Sequence, residues 1–184
     1  MTQADIYQQL TEAIGIAESV YIPKIFKMLA DEDEAKIVLA AAPPATVEEI
    51  AERSGVAVEK VEKSIDPLFK KGLLYKSSRP GVYYRVKYML QFHDATILAP
   101  GMTQEFFNVW KEYHEKEFDT HMSQLQSVLP QSAVRVVPVN VSIQPDTQVA
   151  NFDDVRQIVE NARNLAVTPC TCRVVDGGCG KSLE

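Results

Sequence analysis

The sequence predicts a mainly α protein with a small β component: an N-terminal winged helix-turn-helix, then a long helix and a small α+β lobe that contains cysteines. Three observations support this. Apolar residues recur at spacings of three and four through most of the first 130 residues, as in amphipathic helices. Two short runs rich in β-branched and aromatic residues flank Arg79-Pro-Gly81 and indicate a β-hairpin. The cysteines all lie after residue 169, at Cys170, Cys172 and Cys179.

The bulk composition is typical of a globular protein. A chain of 184 residues with 46% hydrophobic and 24% charged residues has room for one good core or two small ones. No apolar run has the length of a membrane span, and the N-terminus lacks the pattern of a signal peptide. We therefore expect a cytoplasmic protein without membrane association. We divide the chain into an N-terminal helix (1–22), a winged helix domain (23–88), a helical connector (89–132) and a cysteine-containing α+β lobe (133–184).

The first three helices are predicted from periodicity and from their end signals. Residues 5–21 have one apolar face, and residues 23–30 begin with a proline, which fits the first turn of a helix. The acidic run at residues 31–34 is a favourable helix start, because negative charge interacts well with the positive end of the helix dipole. The apolar helix that follows ends at residues 43–44, both of which are proline.

A helix-turn-helix followed by a hairpin occupies residues 46–88. Thr46 and Glu49 form a capping-box pattern, and Ser54-Gly55 is a typical helix end. The next helix, residues 58–71, contains Pro67, where we expect a kink or a lost hydrogen bond. Strands are predicted over residues 73–78 and 82–88. This order of elements is that of a winged helix.

Positive charge is concentrated in residues 60–87, although the whole chain has a net charge of −6. The segment holds eight basic residues and only two acidic ones. Such side chains contact phosphates in nucleic-acid complexes. The candidate DNA contacts lie on the predicted helix 58–71 and in the hairpin that follows it, the wing. They are Lys60, Lys63 and Ser64 on the helix, and Lys76 and Arg79 in the wing. Glu59 and Glu62 would repel phosphate, and winged helices also serve as protein-interaction modules, so docking to a protein is the favoured role.

The second half of the chain is predicted from longer patterns. Residues 89–99 are apolar and fit more than one type of structure, whereas residues 102–129 form one long helix that ends at Pro130. We expect the aromatic residues of this helix to pack in the core or in a homodimer through residues 102–129, rather than around a cofactor. Residues 133–141 resemble an edge strand because Pro138 interrupts them, and residues 152–164 a helix.

The histidines give a weaker signal. His114, Glu117 and His121 are spaced three and four apart, so they share one face of the predicted helix, as metal ligands do. The charged residues around them favour a solvated face instead. His93 is next to Asp94 but has no partner that the sequence identifies.

The clustered cysteines carry the strongest chemical signal. In a reducing compartment such thiols indicate metal ligands or redox groups rather than disulfides. Gly177-Gly178 allows the backbone to return Cys179 towards the other two cysteines, and an extended chain would direct Cys170 and Cys172 to the same side. Arg173 directly follows Cys172. Its guanidinium can donate a hydrogen bond to the sulfur of an iron–sulfur cluster or lower the pKa of a neighbouring thiol. No phosphate-binding glycine loop or nucleophile motif is present in the sequence, so we do not expect an enzyme.

The complete pattern resembles a group of iron–sulfur proteins from anaerobic bacteria and archaea. In that group a winged-helix-like part precedes a Cys-x-Cys-Arg motif, and 4Fe–4S ferredoxin modules usually follow. The matching positions are Cys170, Cys172, Arg173, Cys179 and the pair Leu183-Glu184. The family pattern has a further cysteine beyond this point. The resemblance therefore implies an N-terminal fragment of a ferredoxin-type protein, with its cysteine motif incomplete.

Two functions follow as expectations. The first is an iron–sulfur protein in electron transfer, in which the cysteines bind a 4Fe–4S cluster and the winged helix docks to a redox partner protein. Zinc is the alternative metal, and the site is expected to be empty in a chain that ends at residue 184. The second is a redox- or metal-responsive transcriptional regulator, in which the winged helix binds DNA.

Overall fold

The structure is a computed structural model and describes residues 5–128 and 159–176. Within these ranges it is mainly helical, with one two-stranded antiparallel sheet. The helices are α1 (Ile6–Ala13), α2 (Ile22–Leu29), α3 (Glu32–Ala40), α4 (Val47–Ser54), α5 (Val58–Lys70), α6 (Met89–Ile97), α7 (Gln104–Lys116), α8 (Phe118–Val128) and α9 (Thr171–Asp176). The strands are β1 (Leu74–Lys76) and β2 (Tyr83–Arg85).

The chain divides into two compact units. The first comprises Met1–Met122 together with Pro169–Glu184, and the second comprises Ser123–Thr168. The segment that contains the cysteines, residues 170–179, is called the cysteine segment below. It belongs to the same unit as the N-terminal helices. In the second unit, residues 159–161 are helical. The predicted strand at residues 133–141 and most of the predicted helix at residues 152–164 lie outside the described residues.

The first two helices are shorter than the periodicity indicates. The prediction of one helix over residues 5–21 is wrong, because α1 ends at Ala13 and Gly15 has a φ of 90°. The left-handed conformation of Gly15 stops the helix. The prediction for residues 23–30 is confirmed by α2, which has Pro23 in its first turn.

Side-chain caps fix the starts of α3 and α4. The Asp31 carboxylate accepts a hydrogen bond from the Glu34 amide, and the Glu34 side chain accepts one from the Asp31 amide. Thr46 and Glu49 form the same reciprocal pair at α4, as the sequence predicts. Each cap satisfies amides that have no partner within the helix.

The hairpin is tied to the helices that precede it. Its register pairs Leu74 with Arg85 and Lys76 with Tyr83. Ala45, in the loop between α3 and α4, exchanges two backbone hydrogen bonds with Tyr83. Leu74 and the apolar residues of α3, α4 and α5 share one continuous core. Helices α3 to α5 and the hairpin therefore form a single packed module.

The long helix predicted over residues 102–129 is wrong, because α7 ends at Lys116 and α8 begins at Phe118. Between them, Glu117 leaves the helical conformation with a φ of −124°. Its carboxylate accepts hydrogen bonds from the Ser19 hydroxyl and from the Val20 amide. Contacts with residues that lie almost 100 positions earlier in the sequence thus stabilise the break between α7 and α8.

Aromatic side chains from α6 and α7 fill the part of the core behind this break. Residues 89–99, which fit several structures by sequence, contain α6. Phe92 of α6 stacks on Phe26 of α2 with ring centroids 4.3 Å apart, and it also contacts Trp110. Phe106, Trp110 and Tyr113 are fully buried. The expectation that these aromatics serve packing is confirmed. Within the described ranges, no helix has both the length and the apolar character that a bilayer span requires.

Candidate functional site

The cysteine segment becomes helical at residue 171, directly after Cys170. Cys170 is exposed, and its carbonyl accepts a hydrogen bond from the Val174 amide at 3.1 Å, in the first turn of α9. Cys172 lies within α9, but its side chain and all of Cys179 fall outside the described part of the chain. The extended conformation expected for residues 170–172 is wrong, because the chain is helical from residue 171. Residues 170–172 therefore do not form the strand that would direct both thiols to one side.

Helix α9 packs against α6 and α7. Val175 is buried in the core, and Val174 is partly buried beside it. At the start of the helix, the Thr171 hydroxyl donates a hydrogen bond of 3.1 Å to Oδ1 of Asp94 on α6. These contacts hold the cysteine segment against the helical body, at the end where Asp94 and its neighbour His93 lie.

Two histidines meet beside this contact. His93 of α6 is 4% exposed, and its Nδ1 lies 2.8 Å from Oδ1 of Asp94. Its Nε2 lies 2.7 Å from Nε2 of His114 on α7. The edge of the His93 ring faces Trp110 with centroids 5.0 Å apart, and Phe118 lies 5.4 Å from the His114 ring. The pair is therefore largely surrounded by aromatic groups.

The positions of the protons between Asp94, His93 and His114 follow from the chemistry of these groups. An ionised carboxylate only accepts hydrogen bonds, so Nδ1 of His93 is the donor to Asp94. In neutral His93 the other nitrogen, Nε2, then carries a lone pair, and Nε2 of His114 donates to it. The sequence shows His93 and Asp94 as neighbours. It gives no signal for His114 as the partner, because the two histidines are 21 residues apart on different helices.

The prediction that His114, Glu117 and His121 form a solvated face is wrong. His121 is buried, and its Nδ1 lies 3.0 Å from the Tyr113 hydroxyl. Burial raises the pKa of Tyr113 above its ordinary value, and the Glu117 carboxylate adds to the shift. The three residues do not form a common site either, because His114 contacts His93 and Glu117 binds the loop after α1.

Three of the five predicted nucleic-acid contacts are engaged within the protein. Ser64 is buried, and its hydroxyl donates to the carbonyl of Lys60. The Lys60 ammonium lies 2.6 Å from the Asp33 carboxylate, and that of Lys76 lies 3.8 Å from Asp66.

The other two predicted contacts, Lys63 on α5 and Arg79 in the hairpin turn, are exposed. The structure thus leaves two cationic side chains of the predicted set at the surface without an ion pair among the described residues.

The donor chemistry of the cysteine segment fits a metal centre. Thiolates are the usual ligands of iron–sulfur clusters and are common ligands of zinc. Cys170 is exposed and hence accessible to an incoming ion. Arg173 is half-buried on α9. Among residues 5–128 and 159–176, no three described donor side chains converge on one point.

Compared with known proteins, the chain matches no family model, no curated protein sequence and no solved structure.

Proposed function

We propose that the chain is an iron–sulfur-binding protein of the electron-transfer type, with Cys170, Cys172 and Cys179 as ligands and Arg173 near the cluster. The observation that carries the proposal is the packing of α9 against α6 and α7. This packing gives the cysteine segment a fixed base on a folded body, as a metal centre needs if its potential is to be set by its surroundings. The bound cluster would supply reversible one-electron chemistry. The protein residues would hold it and control its access to water.

We also propose that residues 23–88 are a winged helix that docks to a redox partner protein. The supporting observation is the packing of α3, α4 and α5 with the hairpin, together with the bridge from Ala45 to Tyr83. The ion pairs of Lys60 and Lys76 reduce the positive charge available for phosphate, which favours a protein partner.

Anaerobic reconstitution with iron and sulfide tests the first proposal. We expect a broad visible absorbance from thiolate-to-iron charge transfer, and we expect it to be lost in Cys170→Ser and Cys172→Ser. The experiment uses the full chain of 184 residues. A featureless spectrum would contradict iron–sulfur binding.

A winged-helix regulator that binds DNA is the second candidate. It is favoured by the exposure of Lys63 and Arg79 on α5 and the hairpin. If it is correct, Lys63→Glu and Arg79→Glu will each weaken binding to DNA in a gel-shift assay and lower the salt dependence of the affinity by about one phosphate contact. Lys27→Glu, on α2, is the control. Equal binding by all three variants would exclude this surface as the DNA contact.

A further inference from the structure

We propose that the buried contact between His93 and His114 is an acid-sensitive switch, which holds α9 on the helical body and releases it when both imidazoles are protonated. The contact joins α6 to α7, and α9 packs on both of these helices. The inference goes beyond the proposed function, because it concerns how α9 is docked and does not depend on a bound metal. It assigns a role to two titratable side chains that are otherwise unexplained.

The hydrogen bond between the two rings has room for one proton. The Nε2 atoms of His93 and His114 are 2.7 Å apart, and Nδ1 of His93 already donates to Asp94. Neutral His93 therefore accepts at Nε2, and His114 donates to it. A first additional proton converts His114 to imidazolium, which still donates through Nε2. The contact between α6 and α7 thus persists when one of the two rings is charged.

A second proton is incompatible with this geometry. It would occupy Nε2 of His93 and would place two N–H donors, each on a positively charged ring, against one another at 2.7 Å. His93 is only 4% exposed, so water has little access to replace the lost acceptor. The rings must separate before both are charged. Because the open form then binds one proton more than the closed form, a lower pH favours opening.

The carboxylate of Asp94 connects this pair to α9. Its Oδ1 accepts a hydrogen bond from His93 and another, of 3.1 Å, from the Thr171 hydroxyl at the start of α9. Val175 of α9 is buried in the same core. When α6 and α7 separate at the histidine pair, α9 loses the surface on which it packs. A helix of six residues is too short to be stable alone, so α9 should unfold as it is released.

The charged groups on the neighbouring helices do not compensate the second proton. Glu117 of α7 accepts from Ser19 and Val20, and His121 of α8 contacts Tyr113. Arg173 of α9 is half-buried, and a guanidinium has no acceptor. Other charged residues on α2, α7 and α8 are exposed, namely Lys24, Lys27, Lys111, Glu112, Glu115, Lys116 and Asp119.

Substitution to glutamine gives a matched pair of variants. A glutamine at position 114 can donate to neutral His93 through its amide nitrogen, or accept from protonated His93 through its amide oxygen. His114→Gln therefore retains a partner for His93 at every pH and removes the repulsion. His121→Gln is the control, because the chain has three histidines and His121 is the one outside the pair.

The experiment follows the full-length, reduced, metal-free protein from about pH 8 to about pH 5, the range in which imidazole titrates. Hydrogen exchange at the Val174 amide, which donates to the Cys170 carbonyl, reports the folding of α9. Each rate is divided by the intrinsic exchange rate at that pH. Fluorescence of Trp110, the single tryptophan, reports the entry of water, because its ring lies 5.0 Å from that of His93.

In the wild type and in His121→Gln, we expect the protection of Val174 to fall by about tenfold or more and the Trp110 emission to shift to longer wavelengths. His114→Gln should keep both signals constant. The Ile50 amide of α4 should stay protected in all three proteins. Unchanged Val174 protection in the wild type, an equal loss in His114→Gln, or an equal loss at Ile50 would each overturn the proposal.

A measurement on the wild type covers a variant that does not fold. The imidazole ¹⁵N resonances of the three histidines are recorded over the same pH range. We expect His93 to take up its proton in the same step in which Val174 loses protection. Protonation of both His93 and His114 while Val174 stays protected would refute the proposal, because it would show that the closed contact tolerates two charged rings.

Discussion

At the scale of single residues, Tyr113 links burial to the pH dependence of stability. Its ring is fully buried, and its hydroxyl contacts Nδ1 of His121 at 3.0 Å. Desolvation raises the pKa of the hydroxyl above its ordinary value of 10.0, because the phenolate would lose the hydration it has in the unfolded chain. Between those two pKa values the folded protein retains a proton that the unfolded chain has released, so the stability falls as the pH rises above about 10.

We predict that Tyr113→Phe lowers the free energy of unfolding at neutral pH by about 1–3 kcal/mol, because Nδ1 of His121 loses its buried partner. The same variant should lose less stability than the wild type between pH 10 and 11, since it lacks the group whose pKa is raised. Urea unfolding at a series of pH values measures both effects. Tyr88→Phe is the control, because Tyr88 is 67% exposed. Equal alkaline slopes in wild type and Tyr113→Phe would contradict this account.

The sequence carries only part of the information at this scale. The capping pairs Asp31–Glu34 and Thr46–Glu49 are separated by three residues, so local chemistry is sufficient to predict Thr46–Glu49. The contact of His93 with His114 joins two helices, and it arises only after α6 and α7 pack. No periodicity or spacing in the chain encodes that distance.

At the scale of secondary-structure elements, Gly72 determines how closely the end of α5 approaches α6. It has a φ of 76°, and a Cβ atom there would lie 2.5 Å from Cβ of Ala95 and 2.9 Å from its backbone carbon. Both the conformation and the contact therefore require glycine. Gly55, at the end of α4, has a similar φ of 70° but no atom within 4 Å of the corresponding position.

The two glycines permit a direct comparison of strain with crowding. Gly55→Ala should destabilise the protein by about 1 kcal/mol, from the unfavourable backbone conformation alone. Gly72→Ala should cost about 2–4 kcal/mol, because the Ala95 backbone must move as well. Denaturant unfolding of both variants gives the two values. A loss in Gly72→Ala no larger than that in Gly55→Ala would show that α6 moves away from α5 without cost.

The elements also show where sequence patterns stop being informative. Apolar residues continue at helical spacing from α7 into α8, so the pattern predicts one helix over residues 102–129. The break at Glu117 depends on Ser19 and Val20, which the chain brings there from its other end. The hairpin, in contrast, was predictable because Arg79-Pro-Gly81 encodes its turn locally.

At the scale of the whole molecule, ion pairs change the meaning of the charge distribution. Residues 60–87 are rich in basic side chains, yet Lys71 binds Glu34 at 3.0 Å and Lys60 binds Asp33. Arg85 points inward and donates to the carbonyls of Ala13 and Val86. A count of charges along the sequence therefore overestimates the positive potential that a phosphate backbone would meet. This supports the proposal that residues 23–88 dock to a protein rather than to DNA.

Helix α9 connects the cysteine segment to the body of the protein. This helix packs on α6 and α7, although both helices precede the second unit in the chain. The cysteine motif predicts a metal centre, and its neighbours in space could not be inferred from the motif. Among the described residues they include the Asp94 carboxylate, which accepts a hydrogen bond from the Thr171 hydroxyl.

X-ray absorption spectroscopy at the metal edge of the loaded, full-length protein tests the central claim, that the cysteine segment forms a metal centre. For a zinc-loaded sample, we predict sulfur scatterers at about 2.3 Å. Cys170→Ser should reduce the sulfur contribution. A first coordination shell that contains only oxygen or nitrogen would contradict the claim, because it would show that no thiolate of Cys170, Cys172 or Cys179 binds the metal.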